Sequence, residues 1–135
     1  MLMPEKIQDE SLAVCGVNCL VCSAYWQRKN PCPGCTAPQE QHTRKSCQSC
    51  AKRDCARQKS LRWCFACGDF PCAAIKSMSK RYATRYDVDL IDNGLRAKDD
   101  MPAFWDEQKK RFTCPICGGV IDQHRKMCSE CGAGY

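Results

Sequence analysis

Six pairs of cysteines share the spacing CxxC, and this repeated pair predicts metal binding. Two residues between thiolates let one tight backbone turn direct both sulfurs at the same ion, and two such turns complete a tetrahedral shell. Three further cysteines lie outside the pairs. The pairs are Cys19 and Cys22, Cys32 and Cys35, Cys47 and Cys50, Cys64 and Cys67, Cys114 and Cys117, and Cys128 and Cys131, and the single cysteines are Cys15, Cys55 and Cys72.

The last four cysteines have the spacing of a zinc ribbon. Cys114 and Cys117 are followed, after ten intervening residues, by Cys128 and Cys131. A glycine follows each pair, where the backbone has to turn beneath the metal. Iron in a rubredoxin-like site is the alternative occupant, because a tetrahedral shell of four sulfurs serves either metal.

Eleven cysteines precede the ribbon, and their grouping is open. The spacing CxxCxxxxC occurs twice among them, beginning at Cys47 and again 17 residues later at Cys64. Interleaved pairings fit the spacing as well as sequential ones do. A simple partition assigns one zinc ion to Cys19, Cys22, Cys32 and Cys35, one to Cys47, Cys50, Cys64 and Cys67, and one to the ribbon.

This partition leaves the three single cysteines without a fourth ligand, and His42 is the candidate to supply it. Fifteen thiols and one imidazole would provide enough ligands for four tetrahedral sites, so we expect three or four zinc ions per chain. A solvated loop histidine is the alternative for His42. His124 lies in the ribbon turn beside Arg125 and Lys126, where we expect it to be exposed.

Iron–sulfur chemistry is the alternative use of the same cysteines. The spacing CxxxCxxC at Cys15, Cys19 and Cys22 is similar to the cluster-binding triad of radical S-adenosylmethionine enzymes. The chain is too short for the barrel that such enzymes use, which needs roughly 200 residues. The sequence contains no run of the ferredoxin type. An iron–sulfur or thiolate-based redox or metal-handling protein therefore remains open.

Composition and compartment argue against a disulfide scaffold. Cysteine accounts for 15 of 135 residues, so bound metal has to replace part of an ordinary apolar core. We see neither a signal peptide nor an apolar run long enough to span a membrane. We therefore expect a cytoplasmic protein, in which structural disulfides are rare.

The elements that position these cysteines predict a small metal-organised protein. We expect an N-terminal lead over residues 1–14, an irregular zinc-knuckle domain over 15–72, a connector of short α-helices over 73–112 and a β-type zinc ribbon over 113–135.

Three helices are expected in the connector. One begins near Asp69 and Pro71 and places Cys72 in its first turn, where free backbone N–H groups stabilise a thiolate. The others cover about 87–97 and the segment from Pro102 to Phe112. We expect Phe104 and Trp105 on the third helix to belong to the core. A reactive nucleophile is the alternative for Cys72, but the sequence offers it no catalytic partner.

Several of these motifs occur together in a known family. The string CGVNCLVCSAYW, followed by CPGC, CxxxxC, CFACGDFPC and a final FWDEQKKRFTCPICGG, resembles the prokaryotic cysteine-rich family catalogued as domain of unknown function 3795. The resemblance covers about Cys15 to Gly119. It implies a small zinc-binding cytosolic protein and no established activity.

Positive charge is concentrated in the middle of the chain. The formal net charge is +6, and residues 40–85 hold eleven Lys or Arg against three acidic residues. Basic side chains interleaved with aromatic ones favour contact with RNA or DNA, although a solvated face that offsets the negative charge of thiolate sites is the alternative. The candidate nucleic-acid contacts are Lys52, Arg53, Arg57, Lys59, Arg62, Lys76, Lys80, Arg81 and Arg85.

Catalytic motifs are missing from the sequence. It contains no Ser/His/Asp set, no phosphate-binding glycine loop and no HExxH, and only two histidines. We see no small-molecule substrate site and no route to the membrane. We therefore expect a non-enzymatic zinc-binding protein that acts as a nucleic-acid or protein interaction module through its basic face.

Overall fold

The computed structural model describes all 135 residues and consists mainly of short helices. The α-helices are α1 (Ser23–Trp26), α2 (Lys45–Gln48), α3 (Ala51–Gln58), α4 (Ala73–Tyr86), α5 (Leu90–Asp99) and α6 (Met101–Phe112), and the strands are β1 (Ile121–Asp122) and β2 (Met127–Cys128). Single 3₁₀ turns cover Asp9–Ser11, Cys19–Val21, Gln39–Gln41 and Cys64–Ala66. No helix has the length and apolar character needed to cross a membrane.

The three helices expected after residue 72 are present, and their ends follow local capping. Asp87 adopts a left-handed conformation that ends α4. Asp89 and Asp100 then accept hydrogen bonds from the first turns of α5 and α6. The second helix therefore begins at Leu90, three residues later than expected.

Cys72 lies just before its helix and not in the first turn as predicted. It is the N-cap residue of α4, with an extended backbone, and its side chain is exposed. The helix starts after it because the backbone of Cys72 is extended, with ψ 173°.

The cysteine-rich segment contains more regular structure than the sequence analysis expected. Helices α1 to α3 and two of the 3₁₀ turns lie between residues 15 and 60. The eight residues of α3 lack apolar periodicity because the buried positions are Arg53 and Ala56. Because a charged residue lies on the inner face of α3, the hydrophobic pattern of the sequence does not predict this helix.

Two apolar clusters form the core. The larger one joins the loop after residue 12 to the start of α5 and to the ribbon, through Val21, Leu90, Phe112 and Val120. The smaller one contains Phe104 and Trp105 on α6, which are buried as expected. It is completed by Ile7, Leu12, Leu20, Phe65 and Ala97.

Residues 1–14, expected as a polar lead, are part of this packing. Ile7 and Leu12 are buried in the smaller cluster, and the indole of Trp105 donates a hydrogen bond of 2.9 Å to Asp9. The sequence did not predict this packing because the apolar side chains of the segment are too widely spaced to form a recognisable pattern. The N-terminal segment is therefore part of the folded core.

The ribbon forms a small antiparallel sheet that takes in the N-terminus. Ile121 pairs with Cys128 and Asp122 with Met127. Leu2 forms a β-bridge with Gly119, so the first residues extend the sheet.

Candidate metal centre

The four ribbon cysteines are gathered by two backbone turns. The amide of Gly118 donates to the carbonyl of Cys114, and the amide of Gly132 donates to the carbonyl of Cys128. Both glycines have positive φ, +77° and +73°, which other residues rarely adopt. Each turn brings the second thiol of its pair to the same side as the first.

The sulfur atoms of this group fit a tetrahedral metal ion. All four lie within 4.8 Å of one another: Cys114, Cys117, Cys128 and Cys131. The Sγ atoms of Cys114 and Cys131 are 3.7 Å apart, and those of Cys117 and Cys128 are 3.5 Å apart. Metal–sulfur bonds of about 2.3 Å in tetrahedral geometry require sulfur separations of about 3.8 Å. The cysteine cluster is thus compatible with metal binding.

Neighbouring groups divide the charge of this cluster unequally. The Tyr135 hydroxyl, 2.9 Å from Sγ of Cys114, lowers the pKa of that thiol to about 6. A backbone hydrogen bond from Gly119 lowers the pKa of Cys117, but desolvation and the other thiols outweigh it and raise that pKa to about 12. Four adjacent thiolates repel one another, so full ionisation requires a cation between them.

A second group of cysteines surrounds a cavity of about 410 Å³ beside the N-terminal segment. Its sulfurs come from several short elements, including the 3₁₀ turn Cys19–Val21, helix α2 and the residue that precedes α3. Four cationic side chains and no carboxylate line the same cavity. The seven cysteines are Cys15, Cys19, Cys22, Cys32, Cys35, Cys47 and Cys50.

A third group lines a smaller cavity of about 110 Å³. Cys55 reaches it from α3, Cys64 and Cys67 from the 3₁₀ turn after Trp63, and Cys72 from the start of α4. Lys59 Nζ donates to Sγ of Cys67 at 3.3 Å. Burial raises the pKa of Cys64 to about 11, and Cys72, Cys55 and Cys67 add to the effect.

This arrangement differs from the simple partition. Cys64 and Cys67 lie with Cys55 and Cys72, whereas Cys47 and Cys50 line the larger cavity. Helix α3 begins within the first CxxCxxxxC repeat, so Cys55 on this helix joins the three cysteines of the second repeat and not Cys47 and Cys50. The three groups together account for all fifteen cysteines, and every one is a free thiol.

His42 is buried but lies outside all three groups. Only 3% of its surface is exposed, its Nε2 lies 3.3 Å from the carbonyl oxygen of Ala37, and its Nδ1 has no hydrogen-bond partner. It does not line either cavity. Its role as a ligand stays a prediction.

His124 is half-buried, in contrast to the exposure expected from its charged neighbours. Its ring packs edge-on against Tyr82 and Tyr86, with centroids 5.8 and 4.7 Å away. Burial lowers its pKa despite the nearby Asp122 carboxylate. Aromatic contacts from α4 explain why this turn is not solvated.

Some of the candidate nucleic-acid residues contact other parts of the protein, and the others are exposed on α4. Arg53 is 2% exposed and donates to the carbonyls of Cys47 and Gln48, so it cannot reach a ligand outside the protein. Arg62 pairs with Glu10 and lies over the Trp63 ring. Among the rest, Arg57 donates to Ala37, Lys59 contacts Cys67, Lys52 lines the larger cavity, and Lys76, Lys80, Arg81 and Arg85 are exposed on α4.

Two contributors to these sites carried no signal in the sequence. Tyr135 reaches Cys114 because the chain after β2 turns back and Gly134 bridges to Met127. Arg44 lines the larger cavity from the residue before α2. Both placements depend on tertiary folding and not on spacing.

Comparison with protein families gives one match. Residues 11–77 match the model described as "Protein of unknown function (DUF3795)". This segment belongs to the family. The DUF3795 segment ends earlier than the expected Gly119, so it includes both upstream cysteine groups but not the ribbon. No curated protein and no solved structure matched the chain.

Proposed function

We propose that this protein is a non-enzymatic zinc-binding protein whose C-terminal ribbon holds a structural zinc ion. The observation that supports this proposal is that the four ribbon sulfurs all lie within 4.8 Å of one another. Their separations match the tetrahedral thiolate shell that structural zinc sites use. Four protein ligands leave no open position for a water or substrate, which favours a structural role over a catalytic one.

Metal content of the ribbon tests this proposal directly. We expect the double variant Cys117→Ser and Cys131→Ser to lose about one zinc ion per chain in elemental analysis. Both side chains are exposed, so the substitutions create no cavity in the core. Ile116→Ser is the matched control, because Ile116 lies in the same turn and is 73% exposed. Unchanged zinc content in the double variant would refute the proposal. Iron bound in place of zinc would show that the ribbon is an iron site and not a zinc site.

A second candidate function is binding of RNA or DNA by the outer face of α4. Lys76, Lys80, Arg81 and Arg85 are exposed on this helix, and none of them forms an ion pair. Unpaired cations on one helix are available for phosphate contacts, which release counterions from the nucleic acid. Tyr82 and Tyr86 provide aromatic neighbours, although both rings pack partly against His124.

Titration at two salt concentrations tests the second function. We expect fluorescence anisotropy to show binding to single-stranded or duplex RNA or DNA that weakens as salt rises. The triple variant Lys76→Gln, Lys80→Gln and Arg85→Gln should bind more weakly with a shallower salt slope. Lys98→Gln with Lys110→Gln is the control, because both lysines are exposed on other helices. Absence of salt-dependent binding would remove this function.

A further inference from the structure

The cavity of about 410 Å³ concentrates more thiols than one metal ion can use. A tetrahedral ion takes four sulfur ligands, which would leave three of the seven cysteines unused in the same cavity. The seven thiols also cannot form two complete shells separately. If one sulfur bridges two ions, however, seven thiolates fill all the ligand positions of two tetrahedral ions.

Cysteines from distant stretches of the chain line this cavity. Cys15 and Cys19 come from the segment before α1, Cys32 and Cys35 from the loop after it, and Cys47 and Cys50 from α2 and the residue before α3. The three consecutive CxxC pairs therefore face one shared space and not three separate ones.

The charge around the cavity complements a cluster of thiolates. Two divalent ions and seven thiolates leave a formal excess of three negative charges. The cavity is lined by cations without any carboxylate to neutralise them. These cations are Arg44, Lys52, Arg53 and Arg81.

Arg53 gives an independent indication of a buried anionic group. It is 2% exposed, and its terminal nitrogen is held by the carbonyls of Cys47 and Gln48. Its Nε is buried without a hydrogen-bond partner. A buried guanidinium with an unsatisfied N–H is costly unless negative charge lies nearby. Arg53 lines the same cavity as the seven cysteines, and thiolates there would supply this charge.

We propose that these seven cysteines hold one polynuclear metal–thiolate cluster, in which the sulfur of at least one cysteine bridges two metal ions. The proposal rests on the thiolate metal binding proposed above but concerns a different site. Two zinc ions with one bridging thiolate match the number of ligands. An iron–sulfur cluster is a different arrangement, because inorganic sulfide bridges its irons and four cysteines suffice as ligands. The bridging thiolate takes the place that His42 holds in a scheme of separate four-ligand sites.

Magnetic coupling between bound ions tests this proposal on the unaltered chain. The protein is purified without oxygen, its metal and acid-labile sulfide are measured, and any zinc is replaced by Co²⁺ under reducing conditions. Cobalt ions that share a bridging thiolate couple antiferromagnetically, whereas isolated ions do not. We expect electron paramagnetic resonance to detect about two fewer cobalt spins than the number of cobalt ions bound.

The ribbon variant Cys117→Ser with Cys131→Ser separates the two proposals. It should lose one cobalt ion and one spin while the deficit of two spins remains. Loss of the ribbon ion together with equal numbers of spins and ions would support the ribbon site and overturn the cluster. If the ribbon variant kept all of its cobalt and the spin deficit persisted, the cluster would be supported and the ribbon site would be refuted.

The identity of the metal gives the remaining outcomes. Iron with acid-labile sulfide in similar amounts, removed by Cys19→Ser or Cys35→Ser but kept by the ribbon variant, would overturn the proposal, because sulfide and not a cysteine sulfur would then bridge the ions. A single metal ion at the seven cysteines would overturn the proposal, as would loss of one ion from His42→Gln with every cobalt spin independent. Neither result requires a cysteine variant to fold.

Discussion

The hydroxyl of Tyr135 lies 2.9 Å from Sγ of Cys114, so the last residue of the chain contacts a predicted metal ligand. A hydrogen bond donated to a thiolate stabilises its charge and orients it towards the ion. We expect Tyr135→Phe to lower the zinc affinity of the ribbon roughly tenfold. Competition with a chromophoric chelator measures this affinity.

Tyr86→Phe is the control for Tyr135, because it also removes a phenolic hydroxyl while keeping the ring that packs on His124. The two variants should differ in zinc affinity. Equal affinities would show that the Tyr135 hydroxyl does not act on the metal site.

Gly119 provides a steric test of the ribbon geometry. A Cβ atom at this position would lie 2.7 Å from Sγ of Cys128 and 2.8 Å from Cγ of Glu130. Gly119→Ala should therefore displace the Cys128 sulfur and weaken zinc binding by roughly tenfold or more. Gly134→Ala, in the same ribbon but with no atom within 4 Å of its added Cβ, should bind zinc normally. Equal zinc binding by the two variants would contradict the described position of Cys128.

The burial of Arg53 predicts a structural effect that its neighbour Arg57 does not share. Arg53→Gln leaves the carbonyls of Cys47 and Gln48 without their donor and should lower the free energy of unfolding by about 2 kcal/mol. Arg57 is exposed, and Arg57→Gln should change it by less than about 0.5 kcal/mol. Denaturant titration of the metal-loaded proteins measures both, and a similar effect of both substitutions would refute the distinction.

The buried ring of His124 predicts a dependence of stability on pH. Burial lowers its pKa below the ordinary 6.5, so the unfolded chain takes up the proton first as pH falls. The stability from neutral His124 is present above about pH 6.5 and declines below it. We expect His124→Phe, which keeps an aromatic ring, to lose stability less steeply between about pH 7 and 5.5.

Thermal unfolding of both proteins, with zinc content measured at each pH, tests this expectation. Acid also releases zinc from thiolates, and it should do so equally in both proteins. The difference between the two curves therefore reports His124, and parallel curves would exclude it as the titrating group.

Metal removal should affect the whole fold. The two apolar clusters contain only eleven and seven buried residues, and the larger one includes ribbon cysteines. Structural zinc contributes about 10 to 16 kcal/mol of apparent binding free energy, more than such small cores can replace. A strong chelator with a reductant should abolish the cooperative thermal transition, and added zinc should restore it. An unchanged transition in protein proven free of metal would refute metal as the organiser of the fold.

The sequence contained the ribbon and the last three helices but not the grouping of the upstream cysteines. Ribbon spacing is a local property, and the helices after residue 72 have apolar positions at helical intervals with Asp89 and Asp100 as caps. The partition of Cys50 and Cys55 between two cavities depends on α3. The hydrophobic pattern of the sequence does not predict this helix, because its inner face carries Arg53.

Charge patterning was informative in one region and misleading in another. The cations of α4 are exposed, as a basic face requires. Arg53, in an equally basic stretch, is buried because the carbonyls of Cys47 and Gln48 satisfy part of its guanidinium. Spacing cannot distinguish these cases, since the hydrogen-bond acceptors are brought together only by folding.

The pairing of the N-terminus with the ribbon constrains the order in which the protein matures. Met3 donates to the carbonyl of Gly118, and Met1 accepts from the amide of Val120, so the first residues complete their contacts only after about the last fifth of the chain has been synthesised. Contacts between such distant segments form late in folding. During translation the eleven upstream thiols therefore emerge from the ribosome before their scaffold can close. These upstream thiols are therefore exposed to solvent for longer than the four thiols of the ribbon, which are made last.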